Sequence, residues 1–503
     1  MKKKAVKKFY MSTCLLLVVA IIFSGCSSSG SSADPDQEDL KNITIMANLH
    51  TPEVPSDKIE KLLEEKSGFD LSFSWTPDSN YEEKLNTAFA TETLPEATFL
   101  KNQASFIKFK QAIRDGQFWE IGPYLDEYEN LSKLYEQTLA NTAVDGKIYA
   151  LYQGRPAARS GIIYRKDWAD HLGLSTPETI EDVYEMARAF TEEDPDGNGR
   201  DDTIGLSDFS DLYWGAFKII SSWHGTPNNW GVKDGELLPE FMFDEYIQTM
   251  DYMKDLRDKG YMNSDFPVTS KDDHRALVKN GTAGIVIGPM GDISSIHADT
   301  TELNPNATFD IQNVITGPDG EYGIWALPGY GNVVLFPKTS VVTEEELKEI
   351  LSFFDYLMSP EGSNLVFWGS EGEHYELQDG KALGLDTDLS TRDVKPYQSI
   401  EIGEPTTNGR YDSIYTLDIK EKAEKLTVDN DQYLITDPTA ALDSATYIEK
   451  GEMLNQKIND ATYKYILGDI DLNGFKAAIE DWKKSGGDEI IKEYNEAYQN
   501  SKK

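Results

Sequence analysis

The stretch NITIMANLHTPEVPSDKIEKLLEEKSGFDLSFSW, residues 42–75, has the periodicity of a strand at each end and of a helix in the middle. Apolar residues alternate at the two ends, as in strands that turn one face to a core: Ile43, Ile45 and Ala47, then Phe69, Leu71, Phe73 and Trp75. The apolar residues of the middle part share one helical face: Ile59, Leu62 and Leu63. Ser56 can begin this helix and Gly68 can end it. The order predicts a βαβ unit and therefore a parallel sheet.

The same alternation continues along the chain. Two capping boxes, Thr179 with Asp182 and Thr343 with Glu346, each precede an apolar stripe at helical spacing. Residues 285–287 form a short apolar run between glycines, which indicates a buried strand. The last hundred residues have a mostly helical pattern. We therefore expect an α/β protein.

The N-terminus has the pattern of an export signal. Five lysines lie in the first eight residues, and an apolar run from Cys14 to Phe23 follows them. That run is shorter than the roughly 20 residues that a membrane span needs. Gly25-Cys26 comes directly after it and resembles the lipobox of bacterial lipoproteins, which implies a signal peptide over residues 1–25 and lipidation of Cys26.

Residues 26–41 are rich in Ser, Gly and acidic residues, which is typical of a flexible tether. Two acyl chains on Cys26 would anchor the protein stably. We expect the body to hang outside the cell from the extracellular face of the membrane, and to contact the membrane only through this anchor.

Charge and cysteine content narrow the class of protein. The formal net charge is −39, which excludes nucleic acid as a partner because nucleic-acid binding needs a basic footprint. Aromatic residues make up 11% of the chain, so it is folded rather than acidic and disordered. The only cysteine besides Cys26 is Cys14, inside the signal, so a core rather than disulfides must stabilise the body.

The sequence DPDGNGRDD, residues 194–202, matches the first nine positions of an EF-hand loop. Oxygen ligands at alternate positions can wrap a calcium ion: Asp194, Asp196, Asn198, the carbonyl of Arg200, and Asp202. At position 12, Gly205 stands where a bidentate Glu is usual, so a final ligand must come from elsewhere or from water. The alternative is an Asx/Gly turn without metal.

A set of short motifs in this order is similar to the extracellular solute-binding proteins of carbohydrate ABC importers (family 1), especially the long lipoproteins of Gram-positive Firmicutes. The motifs are Tyr81-Glu82-Glu83-Lys84-Leu85-Asn86, Leu94-Pro95-Glu96, Asp145-Gly146-Lys147-Ile148-Tyr149-Ala150, Tyr164-Arg165-Lys166-Asp167-Trp168, Leu172-Gly173-Leu174, the loop at 194–202, Ala326-Leu327-Pro328-Gly329-Tyr330-Gly331, Ser359-Pro360-Glu361-Gly362 and Glu371-Gly372-Glu373-His374-Tyr375.

The resemblance implies a two-lobed periplasmic-binding-protein-like fold of type II, with the ligand in a cleft between the lobes. We place the crossings between lobes near Gly154–Gly161 and Leu327–Gly331. The first lobe would comprise residues 42–154 and 329–372, and the second lobe residues 155–328 and 373–503. The resemblance also implies a structural calcium in the second lobe, permease subunits of an ABC transporter as partners, and a monomer.

Sugars bind through flat aromatic platforms and a ring of hydrogen-bond partners. Trp75 ends a predicted strand, where α/β clefts place ligands, and the segment 214–230 has the composition of a loop. The candidate platforms are Trp75, Trp214, Trp223, Trp230, Trp325 and Trp368. Arg155 and Arg159 flank the first crossing and can engage a carboxylate. Their alternative role is ion pairing with surface carboxylates.

The function that these patterns predict is capture of an oligosaccharide for an ABC importer, without catalysis. One alternative is a surface carbohydrate-active enzyme, a glycosidase or lyase, because paired carboxylates cannot be identified among 87 acidic residues. The motifs of serine hydrolases, zinc proteases and P-loop proteins are absent from the sequence. A second alternative is a sensor that binds a solute other than a sugar, which the same fold would accommodate.

Overall fold

The computed structural model describes residues 41–51 and 53–501. The strands are β1 (Asn42–Leu49), β2 (Asp70–Pro77), β3 (Ala97–Leu100), β4 (Leu151–Gly154), β5 (Ser160–Arg165), β6 (Ile204–Ser207), β7 (Trp230–Lys233), β8 (Glu236–Pro239), β9 (Ala283–Pro289), β10 (Phe309–Gln312), β11 (Ile324–Trp325), β12 (Tyr330–Leu335), β13 (Tyr375–Gln378), β14 (Lys381–Gly384) and β15 (Leu434–Ile435). The helices are α1 (Lys58–Ser67), α2 (Asp78–Ala90), α3 (Gln103–Arg114), α4 (Glu136–Asn141), α5 (Lys166–Leu172), α6 (Ile180–Glu192), α7 (Ala216–Trp223), α8 (Asp244–Asp258), α9 (Lys271–Lys279), α10 (Ile293–Leu303), α11 (Glu344–Leu357), α12 (Pro360–Trp368), α13 (Thr387–Asp393), α14 (Pro405–Asn408), α15 (Asp418–Asp429), α16 (Ala445–Leu467), α17 (Leu472–Trp482) and α18 (Asp488–Ser501).

The first sheet has the strand order β2-β1-β3-β12-β4. Strand β1 pairs in parallel with both β2 and β3, and Ile43 lies opposite Leu71. Strand β12 is antiparallel to β3 and β4. The parallel βαβ unit predicted from residues 42–75 is therefore confirmed, and its apolar strand residues lie in the core of this sheet.

The predicted helix ends are mostly confirmed. Gly68 ends α1 in the left-handed conformation, with φ 76°, which favours glycine. The capping boxes at Thr179 and Thr343 are both present, at the starts of α6 and α11. The prediction that Ser56 caps α1 is wrong, because that helix begins at Lys58 and has Asp57 at its N-cap without a side-chain hydrogen bond.

The second sheet has the strand order β10-β5-β9-β6 and lies over a separate core. The predicted buried strand at 285–287 is confirmed as the centre of β9. Gly284 lies against two rings of the core: a Cβ there would be 2.4 Å from Phe190 Cδ2 and 2.6 Å from Trp168 Cε3. Only glycine fits, because real carbon atoms do not approach so closely.

The chain passes between the sheets in the segments expected from the sequence. Strand β4 of the first sheet ends at Gly154, and β5 of the second begins at Ser160. The chain returns between β11 and β12. The two segments hydrogen-bond to each other, because the Arg155 N–H donates to the Gly329 carbonyl at 2.9 Å and the Leu327 N–H donates to the Ala157 carbonyl at 2.7 Å.

The chain crosses from the first lobe to the second once more, and it does so later than residue 372, where we expected the boundary. Val394, Tyr397, Ile400 and Ile402 belong to the core of the first sheet. The Tyr411 N–H still donates to Asn364 of α12, at 2.9 Å. Helix α15, by contrast, packs on β10 of the second sheet through residues 418–429. We therefore correct the first lobe to residues 42–154 and 330–411, and the second lobe to residues 160–326 and 418–501.

Candidate ligand-binding site

The carboxyl edge of the second sheet is where the candidate site lies. Strands β6 and β9 are parallel, so the segments that follow Ser207 and Pro289 leave the sheet at the same edge. The first crossing segment, 155–159, leads into β5 there, because β5 runs antiparallel to β9 and pairs Ser160 with Pro289. Ligands of α/β proteins bind at this edge.

Two carboxylates hold the loop that carries Trp214. Asp211 Oδ1 accepts hydrogen bonds from the N–H groups of Tyr213 and Trp214, both at 3.0 Å. Asp208 Oδ1 accepts from the Ala216 N–H, at the start of α7, at 3.1 Å. Burial raises the pKa of Asp208 to about 7 because a buried carboxylate loses its hydration. The loop between β6 and α7 is thus fixed at both ends.

Tyr213, Trp214 and Trp325 form an aromatic cluster at this edge. Their ring centroids lie 4.9–5.7 Å apart in edge-to-face arrangements. Trp325 is 4% exposed and Trp214 is 40% exposed. The buried ring and Tyr213 therefore hold the exposed indole in place. An exposed aromatic face held in this way can stack against the C–H face of a sugar. Trp325 Nε1 is buried and has no hydrogen-bond partner among the described residues.

Arg155 and Arg159 lie on the first crossing segment, and Arg159 lies next to the aromatic cluster. The Arg159 guanidinium carbon is 5.8 Å from the Trp214 ring centroid. The Arg155 side chain lies beside Gly331, where a Cβ would be 3.0 Å from its Nε. Although Arg155 reaches solvent, desolvation by the surrounding protein lowers its pKa; the charge of Glu401 opposes this shift, and the charges of Arg159 and Arg410 add to it.

Among the described residues, no Asp or Glu oxygen lies within 4.0 Å of either of these arginines. The chain has ten arginines, and seven of them lie within 4.0 Å of an Asp or Glu oxygen. In the part of the chain that the structure describes, Arg155, Arg159 and Arg200 do not. In so acidic a protein, an arginine without a partner is available to a ligand.

A cavity of about 300 Å³ adjoins Trp214. We call it the α9 cavity, because Lys271, His274 and Arg275 of that helix line it. Arg159 also lines it, and Asp292 is the one carboxylate among the described residues that line it, paired with Arg275 at 2.9 Å. His274 Nδ1 is 2.8 Å from Ser207 Oγ. Burial lowers the pKa of His274 to about 4, so its ring is neutral at pH 7.

Two predicted platforms, Trp223 and Trp230, lie in the core of the second lobe and are 1% and 6% exposed. The sequence around Trp223 has the composition of a loop but forms α7, and all eight of its residues are buried. A helix whose residues are all buried belongs to the core of its lobe. Trp230 packs edge to face on Tyr494, with ring centroids 4.8 Å apart. These side chains are not available to a ligand in this structure.

The other two predicted platforms, Trp75 and Trp368, are half-buried in the first lobe. Trp75 stacks on Phe73 with centroids 5.0 Å apart and meets Tyr397 edge to face. Trp368 Nε1 donates to the Tyr411 carbonyl at 3.1 Å. No contact in the described residues joins either ring to the aromatic cluster.

Sequence reasoning missed four residues of the site: Tyr213, Lys271, His274 and Arg275. Tyr213 directly precedes Trp214, and two adjacent aromatic residues were a usable signal. The other three lie on a short capped helix whose pattern does not distinguish them from surface charges.

The loop at 194–202 gathers its carboxylates around one amide. The Asn198 Nδ2 group donates to Asp196 at 2.8 Å and to Asp202 at 3.1 Å, and its backbone N–H donates to Asp194 at 3.1 Å. Asp194 has a φ of 49°, and two glycines also have positive φ. Within the described residues, no group of three or more His, Cys, Asp or Glu side chains is arranged to hold a metal. Calcium binding stays a prediction.

The predicted lipidation site, Cys26, lies outside the described residues, as do the signal at 1–25 and most of the tether. Residues 41–51 and 53–501 contain no helix that is both long enough and apolar enough to span a membrane.

Comparison with known proteins identifies the family. The bacterial extracellular solute-binding protein family matches residues 52–364. The polygalacturonan/rhamnogalacturonan-binding protein YtcQ of Bacillus subtilis is 40% identical over 498 residues, which cover 97% of this chain and 98% of the relative. Lipoprotein LipO of the same organism is 36% identical over 501 residues, which cover 97% and 98%.

The solved structure of an EF-hand mutant of FusA, a substrate-binding protein of a Streptococcus pneumoniae ABC transporter in complex with fructo-nystose, shares the fold. The TM-score is 0.65 at 19% identity, and the alignment covers 92% of this chain and 99% of that one. The predicted two-lobed α/β fold is thus confirmed, and the chain belongs to the bacterial extracellular solute-binding protein family.

Proposed function

We propose that this protein captures an oligosaccharide between its two lobes and delivers it to the permease subunits of an ABC importer. The observation that carries the proposal is the exposed ring of Trp214, held by Trp325 and Tyr213 at the carboxyl edge of the second sheet. The ring lies next to Arg159 on a segment that joins the lobes. A ligand on this platform is within reach of the hinge, so binding can be coupled to lobe closure.

The ligand is an acidic oligosaccharide of the pectin type. Two observations support this choice: Arg155 and Arg159 lack carboxylate partners among the described residues, and the relative YtcQ is named for binding polygalacturonan and rhamnogalacturonan. Galacturonate units carry one carboxylate each, which a guanidinium can bind through two parallel hydrogen bonds.

The protein acts as a monomer at the outer face of the cell membrane and is anchored through acylated Cys26. The lipobox-like Gly25-Cys26 supports this location, and so does the relative LipO, which is named a lipoprotein. The tether at 26–41 gives the lobes freedom to reach the permease.

Calcium has a structural role in the second lobe. The donors present suit it, because calcium prefers carboxylate and amide oxygens, and three Asp carboxylates surround Asn198. Asp194, Asp196, Asn198, the Arg200 carbonyl and Asp202 would hold the ion. The bound charge would fix the loop between α6 and β6, and this loop leads into the strand that precedes Trp214.

The protein binds its sugar without cleaving it. A thermal-shift screen of the purified protein with neutral and acidic oligosaccharides tests capture, since a ligand that binds the folded state raises the melting temperature. Chromatography of the same mixtures tests turnover. We expect a shift with oligogalacturonates and an unchanged sugar profile. Release of shorter sugars at a catalytic rate would show an enzyme instead.

A further inference from the structure

The α9 cavity has an excess of positive charge in a strongly acidic chain. Arg159, Lys271 and Arg275 line it against a single carboxylate, that of Asp292. Asp292 is already paired with Arg275. Within the described residues, neither Arg159 nor Lys271 has an Asp or Glu oxygen within 4.0 Å, although the chain contains 87 acidic residues. Two unpaired cations beside one cavity favour an anionic ligand group.

The remaining wall of the cavity suits one sugar ring. Val278, Val286 and Ile296 give it apolar sides, and Phe209 packs against His274 with ring centroids 5.4 Å apart. The volume of about 300 Å³ lies at the lower end of the range for small-molecule sites. His274 is held through Nδ1 by Ser207. Its ring therefore offers a hydrogen-bonding edge without a third unpaired charge.

The cavity is continuous with the aromatic cluster, because Trp214 belongs to both and Arg159, which lines the cavity, lies beside the Trp214 ring. The carboxylate of a hexuronate is bonded directly to a carbon of the sugar ring. The ring can therefore lie against Trp214 while the carboxylate points to the cations. We propose that the α9 cavity is a carboxylate subsite for one hexuronate unit of the captured oligosaccharide, with Arg159 and Lys271 as its anion-binding groups. This proposal rests on the proposed capture of an oligosaccharide and places one of its acidic units in the α9 cavity.

The test compares two probes with the same sugar chain, trigalacturonate and its fully methyl-esterified form, in which a methyl group on each carboxyl removes the charge. Titration calorimetry on the wild-type protein should show tighter binding of the acid, by about tenfold or more, since a charge-assisted hydrogen bond is stronger than a neutral one. Raising the salt from 50 to 500 mM NaCl should weaken the binding of trigalacturonate and leave the affinity for the ester nearly unchanged.

The Lys271→Met variant should lose most of this preference. We expect it to bind trigalacturonate about tenfold more weakly than the wild type and to bind the ester with unchanged affinity. Lys279→Met is the matched control, since Lys279 lies on the same helix but outside the cavity and pairs with Glu302 at 2.9 Å. It should bind both probes like the wild type. Melting curves of both variants verify that they are folded.

Four results would overturn the subsite. If the acid and the ester bind the wild-type protein equally, the cavity does not recognise the carboxylate. The same conclusion follows if Lys271→Met weakens the binding of both probes to the same extent. In either case the proposed capture of an oligosaccharide stands. If Lys279→Met matches Lys271→Met, the effect belongs to the general charge of the helix. If neither trigalacturonate nor its ester binds the wild-type protein, while neutral oligosaccharides from other polymers do, the ligand is not a galacturonate and the subsite is wrong. Failure of every sugar overturns the proposed function as well.

Discussion

Trp214 and Trp325 meet edge to face with ring centroids 5.7 Å apart, although one follows a strand of the second sheet and the other precedes the return to the first. The exposed ring is thus held by a buried ring of β11, the strand that directly precedes the segment returning to the first lobe. A platform this close to a crossing segment can link ligand contact to the relative position of the lobes.

The first prediction concerns this exposed ring. Trp214→Ala should weaken oligosaccharide binding by about 1 kcal/mol or more, because the sugar loses its stacking surface. The melting temperature should change little, since the ring is 40% exposed. Titration calorimetry measures the affinity, and a melting curve measures stability.

Trp223→Ala is the matched control for the same substitution in the core. Trp223 is 1% exposed, so its loss should lower the free energy of unfolding by about 3–5 kcal/mol, while the affinity of the molecules that remain folded is retained. The reverse pattern, with Trp223 needed for affinity and Trp214 not, would place the sugar elsewhere.

The second prediction follows from Asp208, whose pKa burial raises to about 7. Between about pH 4 and pH 7 the folded protein holds a proton on this group that the unfolded chain has released. The free energy of unfolding therefore falls as pH rises through that window. Asp208→Asn has no proton to lose and keeps an oxygen that can accept from the Ala216 N–H.

The Asn variant should be more stable than the wild type at pH 8, by about 4 kcal/mol at most, and the difference should shrink toward pH 5. Urea unfolding of both proteins at the two pH values measures it. A difference that does not change with pH would mean that Asp208 titrates in the same range in both states.

The third prediction concerns metal. A protein shown by elemental analysis to contain calcium should melt at a lower temperature after chelation and recover when calcium is added. Asp196→Ala should remove this response, because that carboxylate is one of three around Asn198. Asp319→Ala, in a loop elsewhere in the second lobe, should keep it. A metal-free protein whose melting curve does not respond to calcium would eliminate the site.

The fourth prediction concerns the anchor. Cells that express Cys26→Ala should release the protein into the medium or retain it with an uncut signal, because the acylated residue is missing. Cell fractionation with an antibody against the body distinguishes these outcomes from anchoring. A processed variant that still sediments with membranes would show that another segment holds it there.

The sequence predicted those elements of the fold that depend on residues close together in the chain. The βαβ unit follows from the alternation around Ile43 and Leu71, and the helix starts at Thr179 and Thr343 follow from side chains that satisfy free backbone N–H groups. The third crossing was misplaced, because residues 373–411 form a hairpin and short helices. Their sequence has no periodicity that indicates which core they pack against.

The site was predictable only in part, for a related reason. Loop composition marked the region of Trp214 but could not show that Trp223 lies on a helix buried all round. Arg159 was identified from its place beside a crossing. Lys271 becomes a candidate only when the fold brings α9 beside Arg159, and no local pattern carries that information.

Small-angle X-ray scattering with and without an oligogalacturonate at saturating concentration tests directly whether the sugar is captured between the lobes. Capture between the lobes predicts a smaller radius of gyration in the bound protein, because the lobes close on the ligand, and an intact sugar at the end of the measurement. An unchanged radius of gyration in the bound protein would rule out capture by lobe closure, and a cleaved sugar would show an enzyme.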